Sequence, residues 1–159
     1  MLRAGLGYDS HRLLPGRPLK LGGVEIPSPL GTVGHSDADV VLHAVVDAML
    51  GAAGLGDIGE WFPDTDPHWH GADSAIFVRE TLNRLHEKGY QVHQVDVIIL
   101  AETPRLGPYK ESIRRRLAEL LGLPLDRVNI KAKTSEGMGA IGRSEGIACQ
   151  ALVTIITGT

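Results

Sequence analysis

The segment HSDADVVLHAVVDAMLG, residues 35–51, has the pattern of a helix that is apolar around most of its circumference. Asp39, His43 and Asp47 follow at intervals of four residues, so a helical period places them on one face. The other positions from 40 to 50 are Ala, Val, Leu or Met. We therefore expect a largely buried helix on which His43 lies between two carboxylates and needs partners for both ring nitrogens.

The chain on either side alternates between strand and helix patterns. Ser36 and Asp39 resemble a capping box at the start of the first helix, and Gly51 predicts its end. Period-two alternation and Gly or Pro residues place the other elements. They are strands over residues 2–11, 92–101, 127–133 and 147–157, a hairpin over 19–26, and helices over 74–88 and 108–121. Such alternation is typical of the α/β class, in which sites lie at the carboxyl ends of strands.

Glycine-containing segments in the first strand and after the first helix lead to two further predictions. Gly5 and Gly7 in the first strand allow another backbone to approach closely. Residues 52–67 are rich in Gly, Pro and Asp and are expected to form a long functional loop without regular structure.

The bulk composition indicates a single domain over residues 1–159 and excludes several classes of partner. A net charge of −3 provides no basic surface for nucleic acid. Cys149 is the only cysteine, so no disulfide forms within the chain, and the apolar run around it predicts a buried thiol. No apolar stretch is long enough for a membrane span, and we expect a cytoplasmic protein.

A metal site is the most specific chemical expectation. His43 alone is explained either as a hydrogen-bonded core histidine or as a metal ligand. Asp9 and His11 lie two residues apart in the first strand and therefore point the same way. Together with His43 they offer three ligands and leave a fourth position open, which is the pattern of a catalytic zinc site.

Two loops that follow strands carry polar residues suited to anions. Residues 131–139 contain lysines, hydroxyls and glycines that a phosphate would contact, and Glu136 could hold Mg²⁺ or Mn²⁺. A solvated turn explains the same composition, and the spacing of a Walker loop is absent. Arg143, in residues 142–146, suits an anion or an ion pair. Four other histidines are interpreted as solvated: His68, His70, His86 and His93.

The residues alone thus indicate a divalent-metal enzyme of the α/β class that acts on a phosphorylated substrate. A metal-dependent phosphohydrolase would use the same groups, with water as the attacking nucleophile. A nucleotide-binding protein with a structural metal is a third possibility, and it would supply a fourth protein ligand.

Five motifs together resemble one known family over essentially the whole chain. They are GYDSH at 7–11, HSDADVVLH at 35–43, LGDIG at 55–59, FPDTDP at 62–67 and GRSEGIAC at 142–149. The sequence is similar to the 2-C-methyl-D-erythritol 2,4-cyclodiphosphate synthases of the non-mevalonate isoprenoid pathway. The resemblance implies an α+β layered homotrimer, with helices on one side of each sheet, the sheets lining the central axis and active sites between subunits.

The implied reaction is that of a metal-dependent phosphorus–oxygen lyase. Its substrate is 4-diphosphocytidyl-2-C-methyl-D-erythritol 2-phosphate, and its products are the cyclic diphosphate and CMP. The resemblance assigns one zinc per chain to Asp9, His11 and His43, and Mg²⁺ or Mn²⁺ with the phosphates to Glu136. It makes His35 and Thr134 the catalytic residues.

The same resemblance implies a larger set of substrate-binding residues. Asp57 and Gly59 would hold the methylerythritol hydroxyls, residues 101–106 with Lys133 would contact the cytidine from the neighbouring subunit, and Arg143 would face the three-fold axis. The full set is Asp9, Ser10, His11, His35, Ser36, Asp57, Ile58, Gly59, Phe62, Pro63, Asp64, Thr65, Asp66, Ala101, Glu102, Thr103, Pro104, Arg105, Leu106, Gly107, Lys133, Thr134, Ser135, Glu136 and Arg143.

Overall fold

The computed structural model describes residues 1–157. Seven strands and five helices follow one another within that range. The strands are β1 Leu2–Pro15, β2 Leu19–Leu21, β3 Val24–Ile26, β4 Leu30–Thr32, β5 Tyr90–Leu100, β6 Val128–Lys133 and β7 Gly146–Thr157. The helices are α1 Val40–Ala53, α2 Ile58–Trp61, α3 Ser74–Glu87, α4 Lys110–Leu121 and α5 Gly139–Gly142. The predicted domain 1–159 also includes Gly158 and Thr159, which lie outside the described residues.

Five strands form one mixed sheet in the order β4-β1-β7-β5-β6. Strand β7 is central and pairs antiparallel with both β1 and β5, whereas β5 and β6 are parallel. Strands β2 and β3 form the predicted hairpin as a separate two-stranded sheet. The α/β expectation therefore applies only to the β5–α4–β6 unit, and the domain as a whole is α+β because antiparallel pairing dominates its sheet.

Two glycines bring α1 into direct contact with β1. A Cβ atom at Gly5 would lie 2.0 Å from the carbonyl oxygen of Ala48, and one at Gly7 would lie 1.9 Å from that of Ala44. The helix backbone therefore packs on the strand backbone, as the two glycines predicted. Asp9 continues the same alternation along β1 and reaches the adjoining turn of α1.

The other face of the sheet is largely exposed within residues 1–157, and only the short helix α5 borders it, in a surface pocket with Tyr8 and Ser10. Leu6, Tyr8 and Leu152 are 72%, 56% and 44% exposed there, whereas alternate residues face the core. The sheet is thus packed by helices on one side, as expected. Among the described residues no helix is both long and apolar enough to span a membrane.

Helix α1 begins later than the capping-box pattern predicted. Asp39 is itself the N-cap, and its carboxylate accepts a hydrogen bond from the backbone N–H of Leu42 at 3.0 Å. Ala38 has a φ of 56°, so the helical backbone cannot continue back to Ser36. The carboxylate therefore replaces the serine hydroxyl as the cap.

Three other boundaries also differ from the sequence prediction. Helix α1 continues through Gly51 and ends where Gly54 adopts a φ of 70°. Strand β1 runs on to Pro15, since β7 and β4 pair with its second half. The segment 52–67, predicted to be irregular, contains helix α2, capped by the side chain of Asp57.

Candidate active site

Asp9 and His11 on β1 meet His43 on α1 through three side-chain atoms. The Nε2 atom of His11 lies 2.7 Å from Oδ2 of Asp9, and Nδ1 of His43 lies 3.1 Å from the same oxygen. The two ring nitrogens are 3.4 Å apart. Among the described residues this group has three members, and together they can hold a metal ion. The predicted convergence of the strand and the helix is confirmed.

The remaining ring nitrogen of each histidine has a partner on the side away from the group. Nδ1 of His11 lies 3.2 Å from the carbonyl oxygen of Val33, to which it donates when Nε2 is free to bind a metal. Nε2 of His43 lies 2.8 Å from Oγ of Ser74 and 3.1 Å from Oγ of Ser36. These contacts turn one nitrogen of each ring towards Asp9.

The carboxylates next to His43 on α1 have other partners. Asp39 is fully buried and accepts hydrogen bonds from both turn glycines of the β2–β3 hairpin, and Asp47 accepts from the backbone N–H of Ile58 at 2.9 Å. His43 lies between these two carboxylates in the sequence of the helix, as expected, but neither is its hydrogen-bond partner. Both carboxylates accept from backbone groups, whereas His43 bonds to Asp9.

The charge at Asp9 is stabilised by its neighbours. Burial alone would raise the pKa of Asp9, but the hydrogen bonds from His11 and His43 outweigh it and lower this pKa to about 2. Burial likewise opposes the charged form of His11, but Asp9 raises its pKa. The side chain of His43 is 12% exposed. The group is thus a mostly buried anionic oxygen between two imidazoles, a suitable donor set for a divalent ion.

The group opens into a cavity of about 450 Å³. Its lining includes nine residues that the sequence analysis assigned to the metal or the substrate: His11, His35, Ser36, His43, Ile58, Gly59, Phe62, Pro63 and Asp64. Residues from β1, from the loop before α1 and from α2 therefore share one cleft. Helix α1 carries His43 and, through the hydrogen bond from Ile58 to Asp47, also holds the start of α2, so one helix joins two parts of the cleft.

Sequence reasoning missed the aromatic wall of the cleft. Phe77 and Trp69 line it, and the Phe62 ring stacks on Phe77 with centroids 4.7 Å apart. Trp69 meets Phe62 edge-on at 5.3 Å. Phe77 lies in an ordinary apolar helix pattern, so nothing in the sequence distinguished it from core.

His35 lies at the rim of this cleft beside an unpredicted partner. Its Nε2 atom is 3.0 Å from the carbonyl oxygen of Asp66, and its Nδ1 atom is 3.4 Å from Nδ1 of His70. His70 is exposed, as predicted, but it also belongs to the surroundings of His35.

A second cavity, of about 430 Å³, lies at the carboxyl ends of β5 and β6. Eight predicted residues line it: Ala101, Glu102, Pro104, Arg105, Leu106, Gly107, Lys133 and Thr134. Glu102 holds the adjoining loop, because its Oε1 accepts from the backbone N–H of Ser135 at 2.7 Å. Glu136 is exposed at the tip of that loop, with a φ of 53°. Those predicted residues that line a cavity are therefore divided between two separate cavities on this chain.

Comparison with known proteins agrees with this arrangement. The YgbB family model matches residues 2–156. The chain belongs to the YgbB family. A relative from Symbiobacterium thermophilum, named 2-C-methyl-D-erythritol 2,4-cyclodiphosphate synthase, is 56% identical over 151 residues, 95% of this chain and 96% of that protein. The family resemblance inferred from the motifs is confirmed.

Solved structures share the same fold. A 2C-methyl-D-erythritol-2,4-cyclodiphosphate synthase in its CDP-bound form matches with a TM-score of 0.90 and 44% identity, over 97% of this chain and 100% of that one. The bifunctional IspDF from Campylobacter jejuni matches with a TM-score of 0.94 and 39% identity over 99% of this chain. This chain spans 42% of that longer chain.

In this YgbB-family protein nine of the predicted substrate-binding residues lie outside the lining of the two cavities. They are Asp9, Ser10, Asp57, Thr65, Asp66, Thr103, Ser135, Glu136 and Arg143. Asp57 is exposed and caps α2, accepting from the backbone N–H of Glu60 at 3.0 Å. Thr65 is exposed, and Ser10 lines a separate surface pocket. Arg143 forms the ion pair that was its alternative interpretation, with Nε 2.5 Å from a carboxylate oxygen of Glu145.

Proposed function

We propose that this protein converts 4-diphosphocytidyl-2-C-methyl-D-erythritol 2-phosphate to 2-C-methyl-D-erythritol 2,4-cyclodiphosphate and CMP. An oxygen of the 2-phosphate forms a bond to the β-phosphorus. The bond from that phosphorus to the bridging oxygen breaks, and CMP leaves with the electron pair. The protein is then a metal-dependent phosphorus–oxygen lyase whose domain is the chain 1–159. The observation that carries the proposal is the group of Asp9, His11 and His43 at the cleft of a YgbB-family chain.

Zinc fits the three ligand atoms of this group. Ligands at about 2.0–2.1 Å in a tetrahedron lie about 3.3 Å from one another. The observed separations are 2.7, 3.1 and 3.4 Å. A structural zinc site has four protein ligands, and three are found among residues 1–157, so the set fits a catalytic site better. When bound, the ion supplies positive charge for the reacting phosphates.

The residues around the group bind and orient two anions that repel each other. The reaction needs charge neutralisation and in-line geometry more than a protein nucleophile. His35 and Ser36 place an imidazole and a hydroxyl at the cleft, and we assign His35 to stabilisation of the transition state. Phe62 and Phe77 exclude water from one wall, and Asp57 with Gly59 holds the methylerythritol hydroxyls. The segment from Phe62 to Asp66 completes this half of the site.

The second cavity completes the site from a neighbouring subunit. Residues 101–107 and Lys133 bind the cytidine diphosphate portion, and Thr134 is the second catalytic residue. Glu136 at the loop tip holds Mg²⁺ or Mn²⁺ together with the substrate phosphates, an arrangement that suits the preference of these ions for oxygen ligands. Two separate cavities on one chain support this division, since each protomer then contributes one half to each of two sites.

A homotrimer with its sheets around the axis follows from the same proposal. Leu6, Tyr8 and Leu152 form an exposed apolar patch on the face of the sheet opposite α1, which suits burial against other copies. Arg143 and Ser10 lie towards that interior, and an axial anion would compete with Glu145 for the arginine. The cytoplasmic location expected from the sequence stays a prediction.

Mass spectrometry of the products tests the function. Incubation of the zinc-loaded protein with the diphosphocytidyl substrate is expected to yield the cyclic diphosphate and CMP in equal amounts. Release of inorganic phosphate would instead indicate a phosphohydrolase, and unchanged substrate would indicate a binding protein. Either of those two results would overturn the proposal.

A further inference from the structure

We infer that Ser74 and Asp37 are positioning residues that fix the ring of His43 so that its Nδ1 atom faces the metal. The inference deepens the proposed function and rests on its zinc site. Neither residue was singled out by the sequence patterns, and neither touches the ligand atoms. They act on the opposite nitrogen of the ring.

The hydrogen bonds form a chain with a defined direction. The hydroxyl of Ser74 donates to Oδ1 of Asp37, because an ionised carboxylate only accepts. The oxygen of Ser74 is then an acceptor for Nε2 of His43, 2.8 Å away. A neutral imidazole with its proton on Nε2 carries its lone pair on Nδ1. The chain from Asp37 therefore selects the tautomer that can bind a metal through Nδ1.

Backbone hydrogen bonds hold Ser74 and Asp37 in place. Ser74 is fully buried at the start of α3, and its N–H donates to Oδ2 of Asp37 at 3.0 Å. The backbone N–H of Asp37 donates to the carbonyl of Ala72 at 3.0 Å. The ammonium group of Lys20 lies 3.5 Å from Oδ2 of the same carboxylate. Oδ1 of Asp37 also accepts from the backbone N–H of Asp39 at 3.2 Å. Backbone donors therefore fix both oxygens of the carboxylate, and Oδ1 accepts the Ser74 hydroxyl in addition.

The alternative partner of His43 is less well placed to select the tautomer. Oγ of Ser36 is 3.1 Å from Nε2 and also accepts from the backbone N–H of Ala38 at 3.2 Å. Its own proton has no carboxylate to receive it in this arrangement, so it can also donate to the ring. Ser36 lines the substrate cleft, whereas Ser74 is buried behind the ring. Ser74, whose hydroxyl donates to the carboxylate of Asp37, therefore determines which ring nitrogen of His43 carries the proton.

Two variants test the chain by different routes. Ser74→Ala removes the acceptor for Nε2. Asp37→Asn can donate an amide hydrogen to Ser74, so the serine hydroxyl turns towards His43 and favours the tautomer that places a proton on Nδ1. Thr81→Val is the matched control, because Thr81 is an equally buried hydroxyl on α3 that donates to the carbonyl of Phe77 at 2.7 Å.

The readout is the zinc dissociation constant, measured by competition with a chromogenic chelator, with the melting temperature of each metal-free protein measured in parallel. Ser74→Ala and Asp37→Asn are expected to bind zinc about 10- to 100-fold more weakly, and Thr81→Val within threefold of the wild type. Saturating zinc is expected to restore most of kcat in both variants.

An unchanged zinc affinity in either variant would overturn the inference, and so would an equal loss in the control. If Ser74→Ala does not fold, Asp37→Asn carries the test, since it preserves shape. Product formation by the wild type is a separate measurement, so a failure of the proposed reaction is distinguishable from a failure of this inference.

Discussion

Replacing Gly7 by alanine tests whether the contact between β1 and α1 builds the metal site. The new Cβ atom would lie 1.9 Å from the carbonyl oxygen of Ala44 and 2.7 Å from the backbone nitrogen of Ala48. Carbon and carbonyl oxygen in close contact lie about 3.3 Å apart, so α1 must retreat by about 1.4 Å. Both obstacles are backbone atoms, which no rotamer change can move.

The retreat has a cost in stability and a cost in metal binding. Overpacking a core costs about 1–3 kcal/mol, and a clash with backbone on two sides places Gly7→Ala at the upper end, about 3 kcal/mol. His43 immediately precedes Ala44, so the same movement separates its Nδ1 from Oδ2 of Asp9, now 3.1 Å away. We expect metal affinity to fall at least tenfold, because catalytic ligand sets tolerate errors of only about 0.5 Å.

Gly51→Ala is the matched control on the same interface. Its Cβ atom would approach Gly5 and Leu6 no closer than 3.9 Å, an ordinary contact, and the position lies inside α1. Alanine should therefore stabilise the helix by up to about 1 kcal/mol. Urea unfolding at matched protein concentration, with and without chelator, measures stability, and calorimetric titration measures metal affinity. Equal behaviour of Gly7→Ala and Gly51→Ala would refute the argument from close packing.

The remaining predictions concern individual carboxylates and one histidine. His43→Ala should lower bound zinc towards zero, because two ligands hold the ion poorly; near-stoichiometric zinc by elemental analysis would contradict the assignment. Glu136→Gln should weaken the activation by added Mg²⁺ or Mn²⁺ and leave zinc content unchanged; an unaltered titration would count against its role. Asp39→Asn should lower the free energy of unfolding in urea by about 2 kcal/mol, because the new amide nitrogen would face the N–H of Gly23 and could not accept its hydrogen bond. The control Asp73→Asn, at an exposed helix cap, should lower it by less than about 1 kcal/mol. Equal losses of stability in Asp39→Asn and Asp73→Asn would contradict a special role of the buried backbone donors to Asp39.

Local periodicity was enough to predict the metal group. The two-residue spacing of Asp9 and His11 decides their common face in any strand, and the buried stripe around His43 decides which side of α1 meets the sheet. These are properties of single elements, which a sequence displays directly. The ends of α1 were less accessible, because the left-handed backbone at Ala38 depends on the surrounding loop.

Relations between distant elements were out of reach of pattern reasoning. The sequence pattern predicts that Ser74 is the first residue of an ordinary helix after the cap Asp73 and that Phe77 is a core residue. Their positions at the site follow from packing α3 against α1. The sequence patterns also did not predict that the substrate residues line two separate cavities. Whether the carboxyl ends of β5 and β6 lie near the metal group depends on the order of the strands in the sheet, which local patterns do not determine.

Fold and site share a determinant in the small residues of β1. Any side chain at Gly5 or Gly7 would push α1 outward, although glycine in the interior of a strand weakens it by its entropy and by the absence of a side chain to pack. A stable interface between β1 and α1 could equally be built with a wider spacing between them, filled by larger side chains. A wider spacing would leave His43 out of reach of Asp9. The glycines are therefore best explained by the distance that the metal ligands require, and the core around them has adapted to that distance.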